Sequence, residues 1–251
     1  MGLNISKGNM YDFVTHTWNT VKGSCPHNCG YCYMKGIAKR FNKPQSPPHF
    51  DESELKTNLG NGNFIFVGSS CDLFANSITA DWVFRTLDHC NEFNNRYLFQ
   101  SKNPFGFYRL LAHPVKEKSV ICTTMESDSF YPDFMGNTPH PIERSVAMQE
   151  LSQHITTYVT IEPIMDFHLE HFVRAIKRCH PVQVNIGADT GRNHLLEPSK
   201  EKVLELIQAL EEFTVVKQKS NLSRLLKQAC IDRSQLPGNC VGRDYNIFKN
   251  K

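Results

Sequence analysis

Short apolar runs alternate with amphipathic stretches along most of the 251 residues, and this alternation constrains the fold more than any other feature of the sequence. The runs fall at 64–67, 97–99, 120–121, 158–161, 182–186 and 214–216, with an earlier one near 13–19. All are rich in β-branched or aromatic residues and suit strands buried on both faces. Between them, Val83, Leu87 and Cys90 recur at helical spacing, as do Leu169, Phe172, Val173 and Ile176, and then Val203, Leu206, Ile207 and Leu210. Those stripes are core-facing. The pattern predicts an α/β fold of six or seven strand–helix units, a partial or complete (β/α) barrel, in one domain spanning 1–251.

Hydrophobic residues make up 40% of the chain and charged residues 21%, which excludes disorder as the ground state. No apolar run is long enough to span a membrane, and the first residues lack the basic-then-apolar layout of a secretory signal, so a cytoplasmic protein is expected. Proline-containing segments at 42–51 and 130–141 read as surface loops.

In a β/α barrel the segments following the strand C-termini form the active face. Polar residues gather there: Gly68 to Asp72, Gln100 to Asn103, Thr123 to Glu126, Glu162-Pro163, Gly187 to Asp189, and Lys217-Gln218. Each position is a site candidate, although a helix cap or turn explains any one of them equally well.

Nine cysteines is an odd count, and Cys25, Cys29 and Cys32 crowd into eight residues after the first strand. This suits a metal site in a reducing compartment better than a disulfide framework. Three thiolates on one short loop can hold three irons of a 4Fe-4S cluster and leave the fourth iron open. The competing reading is a closed iron–sulfur or zinc site with His27 as fourth ligand. Cys71, directly before Asp72, is either a hydrogen-atom donor or a buried structural cysteine. Cys90, Cys122 and Cys179 read as packing residues, with Cys90 and Cys179 in helices, while Cys230 and Cys240 stay ambiguous.

The CxxxCxxC spacing, with the aromatic Tyr31 before the last cysteine, resembles the signature of the radical S-adenosylmethionine superfamily. The likeness extends through Thr17-Trp18-Asn19-Thr20, the segment from Phe66 to Phe74, Ile161-Glu162-Pro163 and Val216-Lys217-Gln218 to a phage- and bacteria-associated family of short radical S-adenosylmethionine proteins of unassigned function. Cys29-Gly30-Tyr31-Cys32-Tyr33 and Ser101-Lys102 are more distantly similar to the spore photoproduct lyases. The superfamily resemblance implies that Cys25, Cys29 and Cys32 ligate the cluster. Its open iron would bind S-adenosylmethionine, and reductive cleavage would give a 5′-deoxyadenosyl radical. It implies an electron donor such as flavodoxin or ferredoxin. It also implies cofactor contacts: Lys102 to the methionyl carboxylate, Ser69 or Ser70 near the amino group, Thr124 or Glu126 to the ribose, and Glu162 to ribose or substrate. The backbone of Tyr31, with Asn185, Ile186 and Gly187, would neighbour the adenine. The Gly-Gly-Glu usual in the superfamily is absent from the segment carrying Ser69 and Ser70.

A net charge of +3 is too mild to demand a nucleic-acid partner. The excess is uneven: from Phe213 onward eight lysines and arginines face two aspartates, so a basic C-terminal extension begins near 213. Two functions compete. One is a radical enzyme acting on a nucleotide, nucleic acid or other polar substrate; the other is a non-catalytic iron–sulfur or zinc module that binds nucleic acid or a protein.

Overall fold

The computed structural model describes residues 2–227 apart from 8, 9, 43, 45 and 192. Its strands, in chain order, are β1 (Asn4–Ile5), β2 (His16–Trp18), β3 (Val21–Lys22), β4 (His49–Phe50), β5 (Phe64–Val67), β6 (Arg96–Ser101), β7 (Ser119–Thr124), β8 (Thr157–Ile161), β9 (Gln183–Ile186) and β10 (Val215–Gln218). Eight of them form one sheet in the order β1-β2-β5-β6-β7-β8-β9-β10, while β3 and β4 make a separate antiparallel pair. Only β1 runs antiparallel in the large sheet; every pairing from β2 to β10 is parallel.

The helices are α1 (Tyr33–Arg40), α2 (Ala80–Asn91), α3 (Tyr108–Leu111), α4 (Pro132–Met135), α5 (Pro141–Leu151), α6 (Leu169–Arg178), α7 (Lys200–Glu211) and α8 (Ser223–Leu226). Three start on side-chain caps, Thr79 accepting from Trp82 N before α2, His140 from Ile142 N before α5 and Ser199 from Lys202 N before α7. The helical stripes are buried as their spacing predicts: Val83, Leu87 and Cys90 in α2, Phe172 and Ile176 in α6, Val203, Leu206 and Leu210 in α7.

Side chains alternate across each strand, and here both faces are used. Ile65, Val67, Tyr97, Phe99, Ile121, Val159, Ile161, Val184 and Ile186 join the helices in the main core. Phe66, Leu98, Val120 and Cys122 form a second cluster, closed by Tyr11 and Val14 with Met10, Phe13 and Tyr158. This double burial is why the strands read as apolar runs rather than as alternating ones. Lys219, just beyond β10, lies with Nζ 4.6 Å from the ring centroid of Tyr11, which precedes β2. The segment before β2 thus reaches the C-terminal end of β10. Among the described residues β1 and β10 each pair on one side only, so the barrel is partial in its hydrogen bonding.

Three sequence expectations change. Segment 130–141 is no plain surface loop: it carries α4, and Met135 is fully buried with Tyr131 and Phe134 packed nearby. Segment 42–51 contributes β4, which pairs with β3. The basic extension from 213 begins inside the sheet, since β10 and α8 are integral to it; Cys230, Cys240 and its last four cationic residues lie outside the described residues. Cys90 falls in α2 and Cys122 in β7, whereas Cys179 caps α6 at its C-terminus; all three are buried. No helix among the described residues is long and apolar enough to cross a membrane.

Candidate functional site

The cysteine loop is held by α4 and the turn after it, far along the chain. Gly30 N donates to Phe134 O at 2.8 Å, Asn137 N to His27 O at 2.7 Å, and Asn137 Nδ2 to Pro26 O at 3.3 Å. Gly136 makes the closest approach: its φ is +63°, and a Cβ there would stand 2.3 Å from His27 O. Only glycine fits that position without displacing the loop. Cys25, Cys29 and Cys32 are free thiols, and all three line one cavity of about 550 Å³ at the strand C-termini. Burial pushes the Cys29 thiol up to about 11, whereas a hydrogen bond from Cys71 brings Cys25 down to about 6. The same contact raises Cys71, which is buried and also lines the cavity.

His27 pairs with Asp72. Its Nε2 lies 2.8 Å from Asp72 Oδ2, and Asp72 further accepts from Ser101 Oγ, Lys102 N and Phe74 N, each at 2.9 Å. Burial alone would lower His27 and raise Asp72; their mutual attraction outweighs it, so His27 stands above its ordinary value and Asp72 below. This pair occupies one ring nitrogen of His27. The three thiols on the loop by themselves fit a cluster with one iron open.

Beyond β5, Ser69 Oγ donates to Asn19 Oδ1 at 3.2 Å and Ser70 N donates to the same oxygen at 2.9 Å, so Asn19 fixes the turn that presents both serines to the cavity. Beyond β6, Lys102 Nζ donates to Glu126 Oε1 at 2.7 Å and to Tyr31 Oη at 2.8 Å. An ammonium has three donors, so one remains for a ligand. Glu126 also accepts from Tyr31 Oη and, at 2.6 Å, from Arg144 Nη1. Glu126 and Arg144 are fully buried. Burial would raise the Glu126 carboxyl, but Arg144 and Lys102 overcome this and hold it well below the usual carboxylate range. Glu126 therefore anchors Lys102 and Tyr31 and is not among the cavity-lining residues; Thr124 is.

At the far side Lys219 Nζ donates to Glu162 Oε2 at 2.5 Å and Asn221 Nδ2 to Glu162 Oε1 at 2.9 Å. Gly187 permits this arrangement, because a Cβ there would meet Glu162 Oε1 at 2.7 Å. Glu162 lines the cavity, whereas Gly187 and the buried Asn185 lie outside its lining. The structure thus gathers Cys25, Cys29, Cys32, Tyr31, Ser69, Ser70, Cys71, Lys102, Thr124 and Glu162 around one space.

Sequence reasoning missed Arg144, Asn19 as an anchor, the His27–Asp72 pair, and Tyr11, whose Oη donates to Gln100 Oε1 at 2.7 Å on the cavity wall. Arg144 sits on a helical face otherwise occupied by Ala147, Met148 and Leu151. A lone arginine in such a stripe was the one available signal.

Neither a protein-family model nor a curated protein matches the sequence. Among solved structures the chain is similar to spore photoproduct lyase complexed with dinucleoside spore photoproduct, with a TM-score of 0.60 at 11% identity over 84% of this chain and 78% of that one. A lyase variant with dinucleoside spore photoproduct gives 0.57 at 10% identity over 85% and 80%. Another variant, with bound AdoMet and dinucleoside spore photoproduct, gives 0.53 at 11% identity over 84% and 66%. The chain therefore shares the α/β architecture of spore photoproduct lyase.

Proposed function

We propose that the protein is a radical S-adenosylmethionine enzyme whose Cys25, Cys29 and Cys32 hold a 4Fe-4S cluster. The observation that carries this reading is the convergence of three free thiols on a cavity at the C-terminal ends of parallel strands. A cluster held there by the three cysteines would supply the electron for reductive cleavage of S-adenosylmethionine to methionine and a 5′-deoxyadenosyl radical, with a donor such as flavodoxin or ferredoxin replenishing it. The chain's own residues bind and orient. Lys102, fixed by Glu126, directs its remaining donor at the methionyl carboxylate, and Ser69 and Ser70 border the amino group. Thr124 and Glu162 meet the ribose or substrate, and the Tyr31 backbone borders the adenine. Asn185 and Gly187 act from behind the wall, Gly187 by admitting Glu162. Cys71, its thiol kept protonated beside Cys25, is the candidate hydrogen donor to a product radical.

A nucleotide or nucleic acid is the substrate class we favour, acted on in the cytoplasm. Lys7, Lys35 and Lys219 on the cavity lining can meet phosphate, and the similar lyases are seen with a dinucleoside ligand. Anaerobic reconstitution tests the core of the proposal. Reduced protein should release 5′-deoxyadenosine from S-adenosylmethionine, and the C25A, C29A and C32A variants should each release none. Wild-type protein that releases none, or that takes up zinc in place of iron, would return the chain to the class of binding modules, and cleavage that survives those substitutions would show that these thiols do not hold the cluster.

A further inference from the structure

A second cluster of ligating side chains stands apart from the cysteine cavity. Asp128 follows β7 by four positions, His168 ends the link from β8, and His171 lies in the first turn of α6. None of the three is among the cavity-lining residues. Asp128 Oδ1 accepts from His168 N at 3.0 Å, which is ordinary helix capping and accounts for one carboxylate oxygen. Oδ2 is not needed for that task. It faces two imidazoles, with His168 Nδ1 at 3.2 Å and His171 Nδ1 at 3.9 Å.

Those three atoms all lie within 4.8 Å of one another. A tetrahedral zinc ion with its nitrogens and oxygen at about 2.0–2.1 Å would set them roughly 3.4 Å apart. The Asp128–His168 separation is already close to that, and His171 needs a small rotation. The Asp128 side chain is 6% exposed, so the carboxylate is fixed; the His168 and His171 side chains are 76% and 64% exposed, so they are free to turn. In the absence of a cation Oδ2 meets His168 alone, since 3.9 Å is too long for a hydrogen bond to His171. A cation between them engages all three at once. A carboxylate and two imidazoles form a borderline N,N,O set, which suits zinc and its late first-row neighbours better than magnesium or calcium.

We propose that Asp128, His168 and His171 form a binding site for a divalent transition-metal cation, zinc as the reference ion, with its remaining coordination positions open to water. Three protein ligands plus solvent is the open arrangement, in contrast to the closed four-ligand structural sites. The site is independent of the cluster and would stand even if Cys25, Cys29 and Cys32 did something else.

The test uses the full chain with its cluster reconstituted, dialysed against zinc chloride, with iron and zinc counted in the same sample. Wild-type protein should hold one zinc per chain beyond its iron. The H168A, H171A and D128N variants should each bind zinc roughly tenfold or more weakly. Both imidazoles are exposed, so their removal should leave the thermal unfolding midpoint of the metal-free protein in place; H171Q serves as a conservative second variant. A wild-type protein that holds no zinc beyond its iron overturns the proposal, as does zinc that stays in full on an H168A/H171A double variant, which would place the ion on unloaded cysteines.

Discussion

Arg144 Nη1 lies 2.6 Å from Glu126 Oε2, and neither side chain reaches solvent. The guanidinium also donates to Thr124 O, Pro139 O and Thr138 Oγ1, so it joins β7 to the segment that leads into α5. Glu126 in turn holds Lys102 and Tyr31 at the cavity edge. One buried carboxylate thus sets the position of a candidate cofactor contact that it does not itself make.

Removing the arginine leaves Glu126 with Lys102 as its remaining cationic partner in a dry environment. We expect R144A to lose about 4 kcal/mol of stability in urea titrations, since breaking a buried pair from one side strands the other charge. The double variant R144M/E126M should recover much of that stability while still impairing S-adenosylmethionine binding, because Lys102 loses its anchor. A recovery of binding along with stability would mean the pair has no positioning role.

The same carboxylate predicts an acid limb. Its folded value sits below the ordinary 4.5, so its contribution is present above that pH and is lost as pH falls through the folded value. The stability difference between wild type and E126Q should therefore be largest near neutrality and shrink on acidification. Urea unfolding of cluster-free protein at a series of pH values checks this; a constant difference would show that Glu126 is not the titrating group.

Lys102 keeps one donor free, and its loss should be felt in binding more than in folding. K102M leaves the Arg144–Glu126 pair in place. The S-adenosylmethionine concentration giving half-maximal 5′-deoxyadenosine release should rise about tenfold, the usual worth of one hydrogen bond to a charged group. Iron content should match wild type. Loss of iron in K102M would point to a structural role instead.

Gly136 is the tightest point of the brace on the cysteine loop. G136A forces a side chain into a left-handed conformation against His27 O. We expect about 2 kcal/mol of destabilisation and a fall in reconstituted iron, measured by denaturation and metal analysis together. Iron at the wild-type level would show that the loop tolerates displacement from α4.

The sequence made the strand-end face legible because each part of it carries a local signal. The apolar run at Phe64–Val67 is also the strand, to the residue, and Cys25, Cys29 and Cys32 announce themselves by spacing alone. Lys102 and Thr124 follow from being polar directly at or beyond buried strands. What stayed hidden depends on contacts between distant segments. Prolines at 132, 139 and 141 suggested a solvated loop, but the aromatic and Met residues between them pack with Tyr31. Arg144 gains its role only from Glu126, 18 positions away in the chain. Lys219 belonged to a basic stretch whose residues read alike, yet its place just beyond β10 sets this one against Glu162 and Tyr11.

The hydrogen bond from Cys29 Sγ to Met135 O joins positions 106 apart in the chain. During biosynthesis the cysteine peptide therefore leaves the ribosome long before its supporting turn exists. The three thiols acquire their common geometry only when more than half of the polypeptide has been made and the central strands have paired. A cluster loaded there would thus follow folding, entering a pocket already built instead of an extended thiol-rich strand.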